Sequence, residues 1–293
     1  MGRKLAAEHP EARAVFEAAD AALEFGISKL CFEGPEDELK KTENTQPALL
    51  TVSIAAYRVL ETRGLKPAVV AGHSLGEYSA LVAAGSISFE DAIRLVRNRG
   101  RYMQDAVPQG VGVMAALLRL PDGQLDRILG EAAQGEVVTA ANLNSPDQIV
   151  IAGHAGAVKR AMDLAREAGA KRAILLPVSA PFHCPLMMPA QARMRPELQA
   201  TAFRDLQFPL INNWQACTIT TGTDARTGLI EQIPNPVRWM DTIRQMQKHG
   251  VTRFVEVGPG TVLTGLCRSI DSSMTGAKFG EAGDLERVKA VFA

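Results

Sequence analysis

Ala68-Val69-Val70-Ala71, followed at once by Gly72-His73-Ser74-Leu75-Gly76, reads as a buried strand running into a tight turn. A helix is expected beyond it, from about Glu77 to Ala84, with Gly85 as its stop. Strand, G-x-S-x-G and helix in that order form the context of a nucleophile elbow. The two glycines let the backbone turn sharply, so that the Ser74 hydroxyl projects above the sheet. The following helix then aims its N-terminal dipole at developing negative charge. The amide of Leu75 becomes an oxyanion donor in such a turn. The plainer alternative is a glycine-softened strand-to-helix turn in which Ser74 merely caps the helix.

Working outward, Glu11 to Leu23 has the periodicity of an amphipathic helix, and Ser88 with Asp91 resembles a capping box for a helix running toward Ala106. From Val111 to Val178 the pattern changes. It reads as strand 114–120, helix 124–133, strand 137–143, strand 148–152, helix 155–167 and strand 172–177, a β-α-β-β-α-β order. That is the ferredoxin-like arrangement, short enough to be a subdomain at 111–178 inserted in a larger unit formed by 1–110 and 179–293. The larger unit regains α/β character in strand 208–211, helix 236–248 and strand 254–257. The fold class expected is α/β: a large α/β-hydrolase-like domain with a parallel sheet, plus the inserted ferredoxin-like subdomain.

Bulk properties narrow the function. The 293 residues are 46% hydrophobic, enough for a full core. Lys+Arg and Asp+Glu are both 32, so nothing in the balance points to nucleic acid or an anionic membrane. The longest apolar run, near Pro47 to Tyr57, is too short to cross a bilayer and has the wrong flanks for a signal peptide, so a cytoplasmic protein is expected. Cys31, Cys184, Cys217 and Cys267 lack the spacing of a metal site or a disulfide framework, and no metal is expected. Gly258-Pro259-Gly260 lacks a dinucleotide fingerprint or a Walker lysine and reads as a strand-to-helix turn.

A serine needs a base to take its proton, and five histidines are available. His9 lies at a charged helix start, His154 follows a strand end in the inserted unit, and His249 sits at a helix C-terminus. Each has an ordinary structural role. His73 adjoins the nucleophile, but neighbours in a tight turn diverge, which leaves it to line the pocket. His183 follows Val178-Ser179-Ala180-Pro181-Phe182 where the chain re-enters the large unit, a loop position that suits a catalytic group. It is the expected base.

Gly72-His73-Ser74-Leu75-Gly76-Glu77-Tyr78-Ser79-Ala80, taken with Ala180-Pro181-Phe182-His183, resembles the malonyl-CoA:acyl carrier protein transacylase family. Thr45-Gln46-Pro47-Ala48-Leu49, Asn142-Leu143-Asn144-Ser145-Pro146, Gln232 with Asn235-Pro236, and Val257-Gly258-Pro259-Gly260 extend the likeness almost end to end. The resemblance implies Ser74 as the acylated nucleophile and His183 as general base. His183 would be oriented by carbonyls, those of Gln232 among them, rather than by a triad aspartate. It implies that Arg99 grips the free carboxylate of a malonyl group, with His73, Asn142 and Gln232 lining the substrate pocket. The partners implied are malonyl-CoA and acyl carrier protein, in fatty acid biosynthesis, with a monomeric enzyme and no cofactor beyond the coenzyme A thioester it consumes.

One departure stands out. The family begins with a strand leading into a Gly-Gln-Gly-Ser-Gln-like loop whose glutamine supplies a second oxyanion N–H. This chain opens at Met1-Gly2-Arg3-Lys4-Leu5, which is similar to the segment just after that loop. An N-terminally short form lacking a central strand and half the oxyanion hole is therefore expected.

Two rivals share the motif. A serine hydrolase of thioesterase type would use water as acceptor and an acid such as Asp147. A non-catalytic copy would bind carrier protein or coenzyme A and turn nothing over. Because carrier proteins are usually acidic, Lys171-Arg172 is the expected basic rim for docking.

Overall fold

The computed structural model describes residues 1–292. The first stretch is helical: α1 (Arg3–Glu8), α2 (Pro10–Leu23), α3 (Ile27–Glu33), α4 (Glu36–Lys40) and α5 (Thr42–Glu61). α5 is the central pillar, burying Leu50, Val52, Ile54, Ala55, Val59 and Leu60 against α2 and α7 (Phe89–Asp105). Pro47 inside α5 removes one helical N–H. The Glu43 carbonyl that this N–H would have met accepts from Arg97 Nη1 at 3.4 Å instead. Between α5 and α7 lies the short helix α6 (Gly76–Ala83) that follows the G-x-S-x-G turn. Ser88 caps α7 by accepting from the Asp91 amide at 3.0 Å, as its spacing predicts.

Next come β1 (Gly112–Leu118), α8 (Leu125–Ala133), β2 (Val138–Ser145), β3 (Gln148–His154), α9 (Ala155–Glu167) and β4 (Arg172–Leu175), each close to its predicted bounds. The four strands form one antiparallel sheet in the order β2-β3-β1-β4. Alternation along β1 decides which side each residue serves. Ala115 and Leu117 pack under α8 and α9 with Ile128, Ile151, Val158 and Ala161. Met114 and Ala116 face the other way, toward Cys184, Phe182 and Leu186 of the loop that carries His183. The second side of β1 is thus the floor beneath the loop that carries His183, while Ile174 on the edge strand β4, opposite Ala116, stays exposed. Gly112 is required where that loop passes, since a Cβ there would stand 2.3 Å from Pro181 Cγ.

The remainder supplies α10 (Met188–Ala200), β5 (Leu210–Ile211), β6 (Thr218–Ile219), α11 (Gly222–Gln232), α12 (Trp239–Lys248), β7 (Arg253–Val257), α13 (Val262–Ile270), β8 (Thr275–Phe279) and α14 (Leu285–Phe292). α12 starts three residues later than expected because Val237 is drawn into a parallel bridge with Asn142 at the edge of β2. Among the described residues no helix is long and apolar enough to cross a membrane.

The expected parallel sheet of the larger unit is not continuous. β5 and β6 form an antiparallel pair, β7 and β8 a parallel pair. Residues 68–71 make only one parallel bridge, Val70 with Leu210, and are exposed or half-buried rather than fully buried. The physical reason is a groove of about 410 Å³ between Val69, Val70, Ala71 and Gly72 on one side and Phe254, Val255 and Val257 on the other, floored by Ile54 and Tyr57.

Candidate active site

The turn after Ala71 is as tight as the motif predicts. A Cβ on Gly72 would lie 1.9 Å from the Gly76 carbonyl oxygen, so only glycine fits. Ser74 itself has φ +53, a conformation that costs a non-glycine residue of order 1 kcal/mol or more unless its surroundings impose it. Asn213, wholly buried just after β5, imposes it. Its Oδ1 accepts from the Ser74 amide at 2.7 Å and its Nδ2 donates to the Gly72 carbonyl at 2.7 Å, so one side-chain amide bridges both arms of the elbow. Gln232, at the end of α11, adds Nε2 donated to the Ser74 carbonyl at 2.9 Å.

Ser74 Oγ stands 2.7 Å from His183 Nε2. His183 Nδ1 lies 3.0 Å from the Gln232 carbonyl oxygen, which can only accept; Nδ1 therefore carries the proton and Nε2 is left to receive one from Ser74. Burial, reinforced by the nearby Arg99 charge, pushes the His183 pKa down to about 3, so the ring is neutral at physiological pH. The Leu75 amide, first in line at the start of α6, has no acceptor among the described residues and is placed to receive an oxyanion.

Arg99 reaches this centre from α7 and is 1% exposed. Nη1 donates to Gln46 Oε1 at 2.7 Å, and Nη2 donates to Gln232 Oε1 at 2.8 Å and to Ser74 Oγ at 3.0 Å. Tyr78 lies beneath the guanidinium, its ring centroid 5.7 Å away. Among the described residues Nε has no partner, and the oxygens that Nη1 and Nη2 meet belong to two amides and a hydroxyl. A buried cation surrounded only by amide and hydroxyl oxygens suits an incoming anion.

The other expected site residues divide. His73 is turned away from His183 toward Asn144, with Nε2 2.8 Å from Oδ1, and its ring lies 5.6 Å from that of Trp239. Gln232 serves the site with three polar groups: side-chain oxygen, side-chain nitrogen and main-chain carbonyl. Asn142 is buried on the β2 bulge beside Val237, with no hydrogen bond to Ser74, His183 or Arg99 among the described residues; Asn144, at the next register shift of β2, makes the contact to His73.

The remaining histidines have structural partners elsewhere: Arg63 and Glu11 for His9, the Val137 amide for His154, Thr218 for His249. Cys184 is buried, donates to the Pro181 carbonyl, and burial pushes its thiol up to about 11. Asp147, the acid a hydrolase triad would call on, pairs with Arg119 at 3.3 Å and meets Ser269 on the surface.

Sequence reasoning gave no role to Asn213, Gln46, Asn144 or Glu77. Asn213 carried the clearest signal: a polar Asn212-Asn213 pair directly after an apolar strand is at the C-terminal strand edge, where open α/β folds place ligands. Glu77, wholly buried, accepts from Gln232 Nε2 at 2.7 Å and from the Asn213 amide at 3.2 Å. Burial pushes its carboxyl up to about 7, against the opposing pull of Gln232, Asn213 and Arg99.

Comparison with known proteins gives a consistent picture. The family model described as "Acyl transferase domain" matches residues 1–287. The malonyl CoA-acyl carrier protein transacylase of Escherichia coli strain K12 is 48% identical over 278 residues, covering 94% of this chain and 90% of the relative. Among solved structures, an acyl carrier protein S-malonyltransferase from Vibrio cholerae superposes with a TM-score of 0.96 at 45% identity, covering 98% of this chain and 94% of the other. A malonyl-transacylase solved in complex with a type II PKS acyl-carrier protein matches with a TM-score of 0.96 at 43% identity, over 100% of this chain and 94% of its own.

Proposed function

The chain belongs to the acyl transferase domain family, among the malonyl CoA-acyl carrier protein transacylases, and from that premise we propose how its own residues carry the transfer. The enzyme is an acyltransferase that moves a malonyl group from malonyl-CoA to the phosphopantetheine thiol of acyl carrier protein. The supporting observation is the line Ser74 Oγ, His183 Nε2, His183 Nδ1, Gln232 carbonyl, with Arg99 on the nucleophile's other side.

In the first half-reaction His183 Nε2 takes the Ser74 proton as Oγ attacks the thioester carbon, and the oxyanion forms against the Leu75 amide. The tetrahedral intermediate collapses with loss of the coenzyme A sulfur, which leaves with the proton held by His183. The second half-reaction runs the same steps in reverse. The phosphopantetheine thiol gives its proton to His183 and attacks the malonyl ester, and Ser74 is restored as leaving group. Throughout, the malonyl carboxylate sits on the Arg99 guanidinium, whose planar fork suits it. Near His73 the Asn144 contact supports that residue as a pocket wall; Asn142 acts through the backbone of β2 that carries Asn144.

To this reading belong a cytoplasmic monomer in fatty acid biosynthesis and a reaction without an added cofactor. The architecture is read as a hydrolase-like unit, 1–110 with 179–293, interrupted by a ferredoxin-like subdomain at 111–178. The strand order β2-β3-β1-β4 and the separate apolar core beneath α8 and α9 support that division. The direct test is intact-protein mass after treatment with malonyl-CoA. A malonyl adduct that maps to Ser74 and is discharged by holo acyl carrier protein is expected; an adduct that survives Ser74→Ala would overturn the assignment.

A further inference from the structure

Two wholly buried charged side chains at this centre lack a direct partner of opposite sign. Among the described residues, Arg99 has only Gln46, Gln232 and Ser74 oxygens around its guanidinium, and Glu77 has only amide donors, with Oε1 unpaired. One side-chain amide lies between them. Gln232 Oε1 accepts from Arg99 Nη2 at 2.8 Å, while Gln232 Nε2 donates to Glu77 Oε2 at 2.7 Å. The negative end of the amide dipole therefore faces the cation and the positive end faces the carboxylate. This orientation is fixed from both sides, because a guanidinium cannot donate to an NH₂ group. The amide relays the Coulombic attraction between Arg99 and Glu77 in a medium that screens it weakly.

We infer that Glu77 is the resident counter-charge of Arg99, coupled through the Gln232 amide, and that Glu77 takes up a proton when a malonyl carboxylate arrives on Arg99. The inference rests on the reading that Arg99 receives that carboxylate. A second anion on the guanidinium weakens the pull that keeps Glu77 ionised and repels it directly, so its proton affinity rises. The remaining groups facing Glu77 do not change charge near neutrality. Arg99 from α7 stays protonated. Tyr78 on its own helix is pushed up by burial, as is Cys217 from the β5–β6 connection, and His183 is held neutral. α11 presents Gly228 and Gln232, which do not titrate. The free carboxyl, pushed up to about 7, is poised to respond.

Acyl loading itself is proton-neutral. The Ser74 hydroxyl proton passes through His183 to the coenzyme A thiol, and the thioester becomes an ester. Any net uptake therefore reports a change elsewhere. The experiment mixes the whole protein with malonyl-CoA in lightly buffered solution, reads protons with an indicator dye, and counts malonyl-Ser74 by intact mass in the same samples. Expected is uptake on the order of half a proton per acyl-enzyme at about pH 7. It should fade toward about pH 5, where Glu77 holds its proton in both states, and vanish in a folded Glu77→Gln variant. Full loading of Ser74 without uptake, uptake undiminished at acid pH, or equal uptake in Glu77→Gln would overturn the inference while leaving the transfer reaction standing. Should Glu77→Gln fail to fold, the pH dependence of the unmodified protein decides alone. Absence of any adduct on Ser74 would instead overturn the parent reading.

Discussion

Arg99 Nη2 donates to Ser74 Oγ at 3.0 Å, so the buried guanidinium and the nucleophile are in contact before any substrate is present. A carboxylate two carbons beyond the reacting carbonyl then falls within reach of the same side chain that touches the attacking oxygen. Selectivity and reactivity share one group, and the site favours acyl chains that end in an anion.

Replacing Arg99 with Ala is accordingly expected to lower malonyl transfer by about 2 to 5 kcal/mol of transition-state stabilisation, the scale for a broken buried charge pair. Acetyl transfer should fall little or rise, because a smaller uncharged group no longer leaves a cation unpaired. Lysine should rescue only part, since a point charge lacks the fork. The check is kcat/KM for malonyl-CoA and acetyl-CoA in all three proteins. Equal losses on both substrates would assign Arg99 to structure.

Asn213→Ala removes the acceptor of the Ser74 amide and the donor to Gly72 together. The two backbone groups left unpaired should cost about 1 to 3 kcal/mol each, less whatever water recovers. Acylation should slow more than substrate binding weakens, because the loss falls on the aim of Oγ. Denaturant midpoints paired with single-turnover acylation measure both. A destabilised variant with an unaltered acylation rate would show that Asn213 supports the fold and not the nucleophile.

Two buried titrating groups give opposite slopes of stability against pH. His183, lowered from 6.5 to about 3, contributes stability that is present above its unfolded pKa and lost as pH falls toward 3. Glu77, raised from 4.5 to about 7, contributes stability that is present below 4.5 and lost as pH rises through 7. Between these limits the effects oppose each other. Glu77→Gln should therefore make the protein lose stability more steeply on acidification than the unmodified chain does. Urea midpoints across the acid-to-neutral range would show it; parallel curves for the two proteins would contradict it.

Lys171 and Arg172 are exposed at the start of β4, on the edge of the small sheet beside the exposed Ile174 and Leu175. Reversing both charges should slow transfer to acyl carrier protein in a salt-dependent manner and spare loading from malonyl-CoA. Transfer kinetics at low and moderate salt test this, and an unchanged rate would place the docking rim elsewhere.

The elbow was legible because its chemistry is local: glycine tolerance, a serine and a capping turn lie within five residues. The small sheet was legible because period-two and helical patterns alternate without interruption from 111 to 178. What could not be read were contacts between distant segments. Nothing around Asn213 states that its amide will span Gly72 and Ser74, and Glu77 looks like an ordinary first-turn acid of α6 until burial removes its water. The expectation of a buried strand at 68–71 rested on its apolar run, but a strand's burial depends on the neighbours that pair with it, and here one side faces a groove.

That groove bears on how the catalytic serine is anchored. Val70 exchanges hydrogen bonds with Pro209 and Ile211, but the amides of Val69 and Ala71 have no acceptor among the described residues. They should exchange with solvent deuterium quickly, while those of α5 and β1 remain protected. The segment leading into the nucleophile is thus held by the single Val70 bridge along one edge and, at its tip, by the side chains of Asn213 and Gln232. On warming, this stretch should loosen before the helical core melts, so that acyl loading fails at a lower temperature than the loss of helical circular dichroism.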